Sequence, residues 1–296
     1  MQEDLPPVVG VRHRFVTAKG IEFHLAEAGS GEPLVLLHGW PQHWYMWRHQ
    51  IPAFAQRHHV ICVDLPGFGW SGVKDGGYEK EALAADIISL LDAIGVRQFC
   101  LAGHDWGGWI GFLICLRQPE RVRRFVALNI PHPFQSPDSR LMHLWRFWYQ
   151  WVIAMPLIGE RLVRAPHGLP RYLLRAGLVS RHWREDELAA YSRQFGNAAR
   201  ARASVLLYRS FLLREFVPVV LGRYRREHLS TPTLLLFGTA DNAISPAMLR
   251  GFEPYADDLT VEFVDDCGHF IAEDRPEVVA DRVLAFLHRP AGSEQA

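Results

Sequence analysis

The chain has 296 residues, is 49% hydrophobic and 22% charged, and carries a formal net charge of +0. That length admits one large domain or a domain with an insert, and the composition is that of an ordinary globular enzyme. The charge balance gives no global electrostatic case for nucleic acid as a partner. Cys62, Cys100, Cys115 and Cys267 stand far apart with no CxxC pair, which reads as buried free thiols in a reducing compartment. Met1 to Pro7 is acidic and Pro-rich without the apolar run of a signal peptide. No apolar run approaches the ~20 residues of a membrane span, so the expected location is cytoplasmic.

In chain order, His13–Ala18 and Ile21–Ala28 flank the turn Lys19-Gly20 and predict a β-hairpin. Pro33–Leu37 is solidly apolar and predicts a central strand, ending at His38-Gly39-Trp40-Pro41. Trp44–Gln56 has helical spacing of Trp47, Ile51 and Phe54. His59–Val63 predicts a buried strand that runs into Asp64-Leu65-Pro66-Gly67-Phe68-Gly69-Trp70-Ser71-Gly72. Glu79–Ile94 is amphipathic, with Gly95 as a stop. Gln98–Ala102 predicts a strand, Trp109–Leu116 a buried helix, and Arg124–Ile130 the next strand.

From Pro131 the texture changes. To about Leu229 the chain shows helical stretches rich in Trp, Tyr, Leu and Arg and no convincing strand; Arg140 to Arg226 holds 16 Arg, no Lys and 5 acids, a net +11. The preferred reading of those arginines is spread over solvated helix faces. Alternation resumes with a strand at Thr233–Phe237, a helix at Pro246–Tyr255, a strand at Thr260–Val264 and a helix at Pro276–His288, before a polar tail, Arg289–Ala296, expected to fray. The expected organisation is a core of 1–130 and 230–296 around a helical cap of 131–229.

Strand–helix alternation implies a mostly parallel sheet covered on both faces, with its strand C-termini along one edge. His38, Asp64, Asp105, Asn129, Asp241 and the His269 loop all follow strands and gather there, where ligands bind in open α/β sheets. The cap leaves from the same edge and should cover it. Gly103-His104-Asp105-Trp106-Gly107-Gly108 sits between a strand and a helix. That is the layout of a nucleophile elbow, in which flanking glycines let the chain turn so sharply that the central side chain stands above the sheet. Downstream come Asp241, in Phe237-Gly238-Thr239-Ala240-Asp241, and His269, in Asp265-Asp266-Cys267-Gly268-His269-Phe270. A carboxylate on one imidazole nitrogen fixes the tautomer and frees the other nitrogen to take a proton. The amide N–H groups of Trp40 and Trp106 are expected to form an oxyanion hole.

Gly67-Phe68-Gly69-Trp70-Ser71-Gly72 matches the dinucleotide fingerprint, but Val73-Lys74-Asp75-Gly76-Gly77 cannot open a helix on the third glycine. A glycine-rich loop beside the site is the better reading, and no metal or organic cofactor is expected.

Together, His38-Gly39-Trp40-Pro41, Asp64-Leu65-Pro66-Gly67-Phe68-Gly69, Gly103-His104-Asp105-Trp106-Gly107-Gly108, Asp241 and Gly268-His269 resemble the epoxide-hydrolase branch of the α/β-hydrolase fold, from about Val9 to His288. The resemblance implies a mostly parallel eight-stranded sheet flanked by helices, with an inserted all-helical cap. It also implies that a hydrophobic epoxide is hydrolysed to the vicinal diol through an alkyl ester on Asp105, which water activated by the His269–Asp241 pair then cleaves. A carboxylate displaces a leaving group at saturated carbon more readily than it transfers an acyl group.

An opening epoxide needs an acid at its oxygen, and the resemblance implies two cap tyrosines. Tyr149 and Tyr208 match by position, with Tyr172, Tyr191 and Tyr224 as competitors. The residues expected to line the substrate are His38, Trp40, Pro41, Trp106, Trp148 and Phe270. A haloalkane or haloacid dehalogenase is the alternative. The family's halide-binding Asn is replaced by Trp40, however, and Trp106 and Trp109 stand where a carboxylate-clamping pair of arginines would be. A non-catalytic binder on this fold is the remote alternative. The expected partners are the epoxide and water, and the oligomeric state is open, a homodimer included.

Overall fold

The computed structural model describes residues 5–135 and 144–290. Met1–Asp4, residues 136–143 of the expected cap and residues 291–296 of the expected tail lie outside the described residues. The strands are β1 (Arg12–Ala18), β2 (Ile21–Ala28), β3 (Glu32–Leu37), β4 (His58–Val63), β5 (Phe99–His104), β6 (Val122–Leu128), β7 (Thr233–Gly238) and β8 (Leu259–Val264). They form one eight-stranded sheet in the order β1-β2-β4-β3-β5-β6-β7-β8. β2 runs antiparallel to both its neighbours, and the other pairings are parallel. The hairpin forms with Lys19 and Gly20 both at positive φ, as its turn requires.

β5 and β7 are buried at every residue, because helices cover both faces of the sheet. On one face α2 (Lys80–Ala93) and α3 (Trp106–Arg117) pack with Leu83, Ile87, Ile110 and Leu113. On the other, α1 (Ile51–Phe54) and α11 (Pro276–Leu287) pack with Trp44, Trp47, Val279 and Val283. Between β6 and β7 lie α4 (Trp148–Ala154), α5 (Ile158–Arg164), α6 (Leu169–Ala176), α7 (Glu185–Ser192), α8 (Ala198–Ser210) and α9 (Phe216–Val220). α8 starts at Asn197, whose side chain accepts the Ala199 and Arg200 amides at 2.9 and 3.4 Å. It runs through a π-helical turn, Phe211–Glu215, into α9. α10 (Ile271–Asp274) follows the His269 loop.

Three expectations are corrected. Trp44–Gln56 is not one helix: a 3₁₀ turn at Trp44–Trp47 gives way to four-residue α1, with Pro52 in its first turn. Pro246–Tyr255 is two 3₁₀ turns, parted by Gly251 at φ 81°. β6 begins and ends two residues earlier than expected, which leaves Asn129 and Ile130 beyond the strand end.

Candidate active site

The elbow is built by close backbone packing. Asp105 has φ 49° and ψ −122°, a strained conformation for a residue with a Cβ. A Cβ on Gly103 would lie 2.4 Å from the Gly107 carbonyl oxygen, and one on Gly107 would lie 2.5 Å from that of His38. Strand, turn and helix can therefore cross only where glycine stands. The turn lifts Asp105 to the N-terminus of α3, beneath the cap.

The Trp40 amide donates to Asp105 Oδ2 at 3.0 Å, and the Trp106 amide bonds to the same carboxylate. The two expected oxyanion donors thus already grip the carboxylate. His269 Nε2 stands 3.9 Å from Asp105 Oδ1, too far for a direct hydrogen bond. His269 Nδ1 donates to Asp241 Oδ2 at 2.9 Å. Asp241 Oδ2 also accepts from Asn129 Nδ2 at 2.7 Å, and its Oδ1 accepts the Ala243 and Ile244 amides at 2.7 and 2.9 Å.

These contacts set the charges. Burial pushes the Asp105 carboxyl up to about 6, against the opposing pull of His269 and the Trp106 and Trp40 amides. Burial alone would lower His269, but the Asp241 charge and hydrogen bond, with Asp105 behind, raise it above its ordinary value. Burial would raise Asp241, and His269, Asn129 and the Ile244 amide outweigh it and hold it down. The loop carrying His269 is held by His104, whose Nε2 donates to the His269 carbonyl at 2.8 Å. Burial, with His269 adding to it, lowers His104 to about 3, so this ring stays neutral.

Two cavities meet at Asp105 and Tyr149. A smaller one of about 340 Å³ is lined by Trp40, Pro41, Tyr208, His269 and Phe270 as well. A larger one of about 670 Å³ is walled mainly by apolar groups, among them Trp106, Trp109, Phe147, Trp151, Phe211 and Phe216. Tyr149 and Tyr208 meet edge to face with ring centroids 6.0 Å apart, and Tyr208 packs likewise on Trp40 and Trp106. Burial first, then Asp105, raises the Tyr149 phenol; burial, then Tyr149 and Asp105, raises Tyr208, so both hold their protons. The competing tyrosines lie elsewhere. Tyr172 is exposed, Tyr191 donates to Glu273, and Tyr224 bonds to Glu81.

Two expected substrate contacts are corrected. His38 Nε2 accepts the Leu65 amide at 2.9 Å and its Nδ1 donates to the Gly39 carbonyl at 3.0 Å, so both nitrogens hold the loop and none faces a cavity. Trp148 is turned outward, 46% exposed and edge-on to Tyr172, because its neighbour Tyr149 takes the inward position on α4. The loop Gly67–Gly72 closes on itself through a 2.8 Å bond from the Gly67 amide to the Gly72 carbonyl, and the next helix begins only at Lys80.

Several contributors escaped the sequence reading. Ser204 accepts the Trp40 indole N–H at 2.9 Å and ties the oxyanion loop to α8. Asn129, seen only as a strand-end residue, orients Asp241. Lys80 is fully buried with its Nζ 4.5 Å from the Trp106 ring centroid, 2.6 Å from the Leu207 carbonyl and 3.3 Å from Glu215 Oε2. A lysine with helical spacing gives no signal of burial, since its carboxylate partner lies 135 residues on. Among the described residues the grouping with metal-ligand character is His49, Glu187 and Glu273. Its carboxylates are already paired with Arg48 and Arg181.

The family described as alpha/beta hydrolase fold matches residues 32–276. The chain is 30% identical to mouse (Mus musculus) Epoxide hydrolase 4, over 93% of this chain and 79% of that protein. It is also 30% identical to the Soluble epoxide hydrolase of Corynebacterium sp., over 94% of this chain and 97% of that protein. Its structure resembles that of Cfl2 from Burkholderia cenocepacia with a TM-score of 0.81 and 28% identity, covering 94% of this chain and 96% of the other.

Proposed function

The chain belongs to the alpha/beta-hydrolase fold family and, within it, to the epoxide hydrolases, and from that premise we propose that Asp105 opens a hydrophobic epoxide to the vicinal diol through a covalent ester. The observation that carries this reading is one chamber in which a strained carboxylate and a histidine–aspartate pair face two buried tyrosines. Oδ2 of Asp105 accepts the Trp40 amide, so Oδ1 is the oxygen that attacks a ring carbon. The new C–O bond forms as the ring C–O bond breaks, and the departing oxygen takes a proton from Tyr149 or Tyr208. Each phenol keeps that proton until an alkoxide, the stronger base, develops beside it.

In the second step His269 Nε2 takes a proton from water as the water oxygen attacks the Asp105 carbonyl carbon. The carbonyl oxygen becomes an oxyanion where the Trp40 and Trp106 amides already point, an arrangement worth roughly 10²–10³ in rate per donor. Collapse breaks the bond between the carbonyl carbon and the diol oxygen, which takes the proton held on His269. The acid proton then left on Asp105 passes through water to the tyrosinate, so the diol is released and carboxylate, imidazole and phenol are all restored. Asp241 stabilises the imidazolium formed on the way.

The large apolar cavity favours hydrocarbon or aryl substituents, and the meeting of two cavities at Asp105 lets the two sides of an epoxide lie in separate arms. We take the organisation as a core of 1–130 and 230–296 with a cap of 131–229, supported by the end of β6 at Leu128 and the start of β7 at Thr233. Among the described residues no helix is long and apolar enough to cross a membrane. The four cysteines are free and buried, which supports a reducing, cytoplasmic setting.

A second reading, dehalogenation, is kept by one observation: the Trp106 indole lines the Asp105 cavity, its N–H facing the Tyr208 hydroxyl, and that N–H could instead meet a halide. Parallel incubation with styrene oxide and 1-bromobutane separates the two. Diol release is expected; bromide release without diol overturns the epoxide reading.

A further inference from the structure

The cap exposes apolar surface that the core does not. Of the 16 large apolar side chains exposed among the described residues, 12 lie between Trp145 and Leu221, including all three exposed tryptophans. The arrangement has a cause in packing. α4 and α5 both lie on α8, burying Tyr149 and Ile153 from one and Val163 from the other. Their outer faces are then left to present Trp148, Trp151 and Met155, at helical spacing, and Ile158 and Leu162, one turn apart. Arg161 and Arg164 are exposed on the same short α5, and neither pairs with a carboxylate among the described residues.

Contiguous exposed apolar surface on a folded protein marks a contact with a partner or a membrane. Here the chemistry selects. Tryptophan and aliphatic side chains interleaved with arginine suit the boundary between headgroups and acyl chains. The charge of this helix is positive as well: Arg161 and Arg164 stand against Glu160 alone, whereas other cap arginines such as Arg181 and Arg214 are paired with core carboxylates. A second copy docked face to face through this surface would oppose arginine to arginine, whereas anionic headgroups complement it. Trp151 is half-exposed on this face and also lines the Asp105 cavity, with Phe216 edge-on beside it at 6.4 Å. The cavity therefore reaches the apolar face.

We propose that the outer face of α4 and α5 seats this protein on the surface of an anionic phospholipid bilayer, with the Asp105 cavity opening toward the lipid. An apolar epoxide dissolved in the membrane then enters the cavity without crossing water. The docking rests on surface chemistry alone and does not depend on the epoxide reading.

The test is flotation of the full chain with large unilamellar vesicles, made either of phosphatidylcholine alone or of an equal mixture with phosphatidylglycerol. The wild type is expected to float with the mixed vesicles, less with phosphatidylcholine, and to be released by salt. The pair Arg161→Glu and Arg164→Glu is expected to weaken binding by at least ~30-fold, at about a factor of five for each lost positive charge. The pair Ile158→Ser and Leu162→Ser is expected to weaken it as well, while both variants still turn over styrene oxide in solution. Failure of the wild type to float with mixed vesicles at low salt overturns the proposal. So does flotation of both variants at the wild-type level, or a wild-type dimer in solution that these substitutions dissociate without vesicle binding.

Discussion

The two walls of the catalytic chamber are held by different forces. On the sheet edge, Asp105 and Asp241 are fixed by short hydrogen bonds to backbone amides, Asp241 also to one carboxamide, and His269 is fixed by its bond to Asp241. On the cap side, Tyr149 and Tyr208 are held mainly by aromatic edges and by burial, with one side-chain hydrogen bond each, to Gln150 and Trp106, and α8 is anchored through Ser204 and the Lys80–Glu215 pair. Directional bonds set a nucleophile and a base to fractions of an ångström. Aromatic packing sets the two phenols beside Asp105, where the proposed mechanism needs a proton donor. The difference predicts that damage to each wall appears in a different half-reaction.

The largest effects belong to the sheet edge. Asp105→Asn is expected to abolish turnover, and His269→Gln to cut it by ~10⁴-fold or more, as loss of a catalytic base does elsewhere. The His269 variant should still form the ester, visible as added mass on the Asp105 peptide. Normal turnover by His269→Gln would break the assignment of the base, and with it the contrast between the walls. Next come the cap phenols. Tyr208→Phe and Tyr149→Phe should each slow ester formation by roughly 10²-fold, the lower range of general acid catalysis, and leave hydrolysis of the preformed ester unchanged. Single-turnover kinetics that show the ester step unaltered would move the acid to another group.

The pH profile separates the walls without mutation. In the proposed mechanism Asp105 reacts as the carboxylate, and burial pushes its value up to about 6. Its reactive form is lost as pH falls through 6, so kcat/KM should drop about tenfold per unit below that value. In the same mechanism His269 serves as a neutral base, and its value is also raised; ester hydrolysis is therefore expected to need pH above that raised value. The direct Asp105 contribution to it is gone once the carboxylate has become an ester. A kcat/KM flat down to pH 5 would mean that Asp105 is not the desolvated group described here.

The sheet edge was legible in the sequence for the same reason that it is rigid. Strand ends are fixed by topology, so Asp105, Asp241 and His269 converge whatever the loops do, and the glycines at 103 and 107 are required by contacts under 3 Å. The cap was legible in class and less so in detail. The family resemblance, not periodicity, pointed to Tyr149 and Tyr208, and neither could tell which side of α4 turned inward, so Trp148 was expected beside substrate and is instead turned outward. His38 was misread because a histidine that satisfies a loop backbone has the same sequence signature as one that meets a ligand. Lys80, Asn129 and Ser204 act through partners more than 100 residues away, and no local pattern records such pairings.

Lys80 gives the smallest expected effect and the finest test of the comparison. Its ammonium binds the Leu207 carbonyl, next to Tyr208, and lies over the Trp106 ring against which Tyr208 packs. It thus connects the directional wall to the aromatic one. Burial lowers this lysine to about 8, against the opposing pull of Glu215, Glu79 and Asp105. Lys80→Met alone would leave Glu215 buried without its counter-charge, at a cost of about 3–5 kcal/mol, so the informative variant is Lys80→Met with Glu215→Gln. We expect ester formation to slow about tenfold, roughly 1.4 kcal/mol of lost alignment, with ester hydrolysis unchanged. The wild-type ester step should also decline as pH rises through 8, where the ammonium is lost, and that limb should be missing from the double variant. If both half-reactions slow equally, Lys80 merely supports the fold; if only ring opening slows, the cap wall depends on this buried charge for the aim of Tyr208.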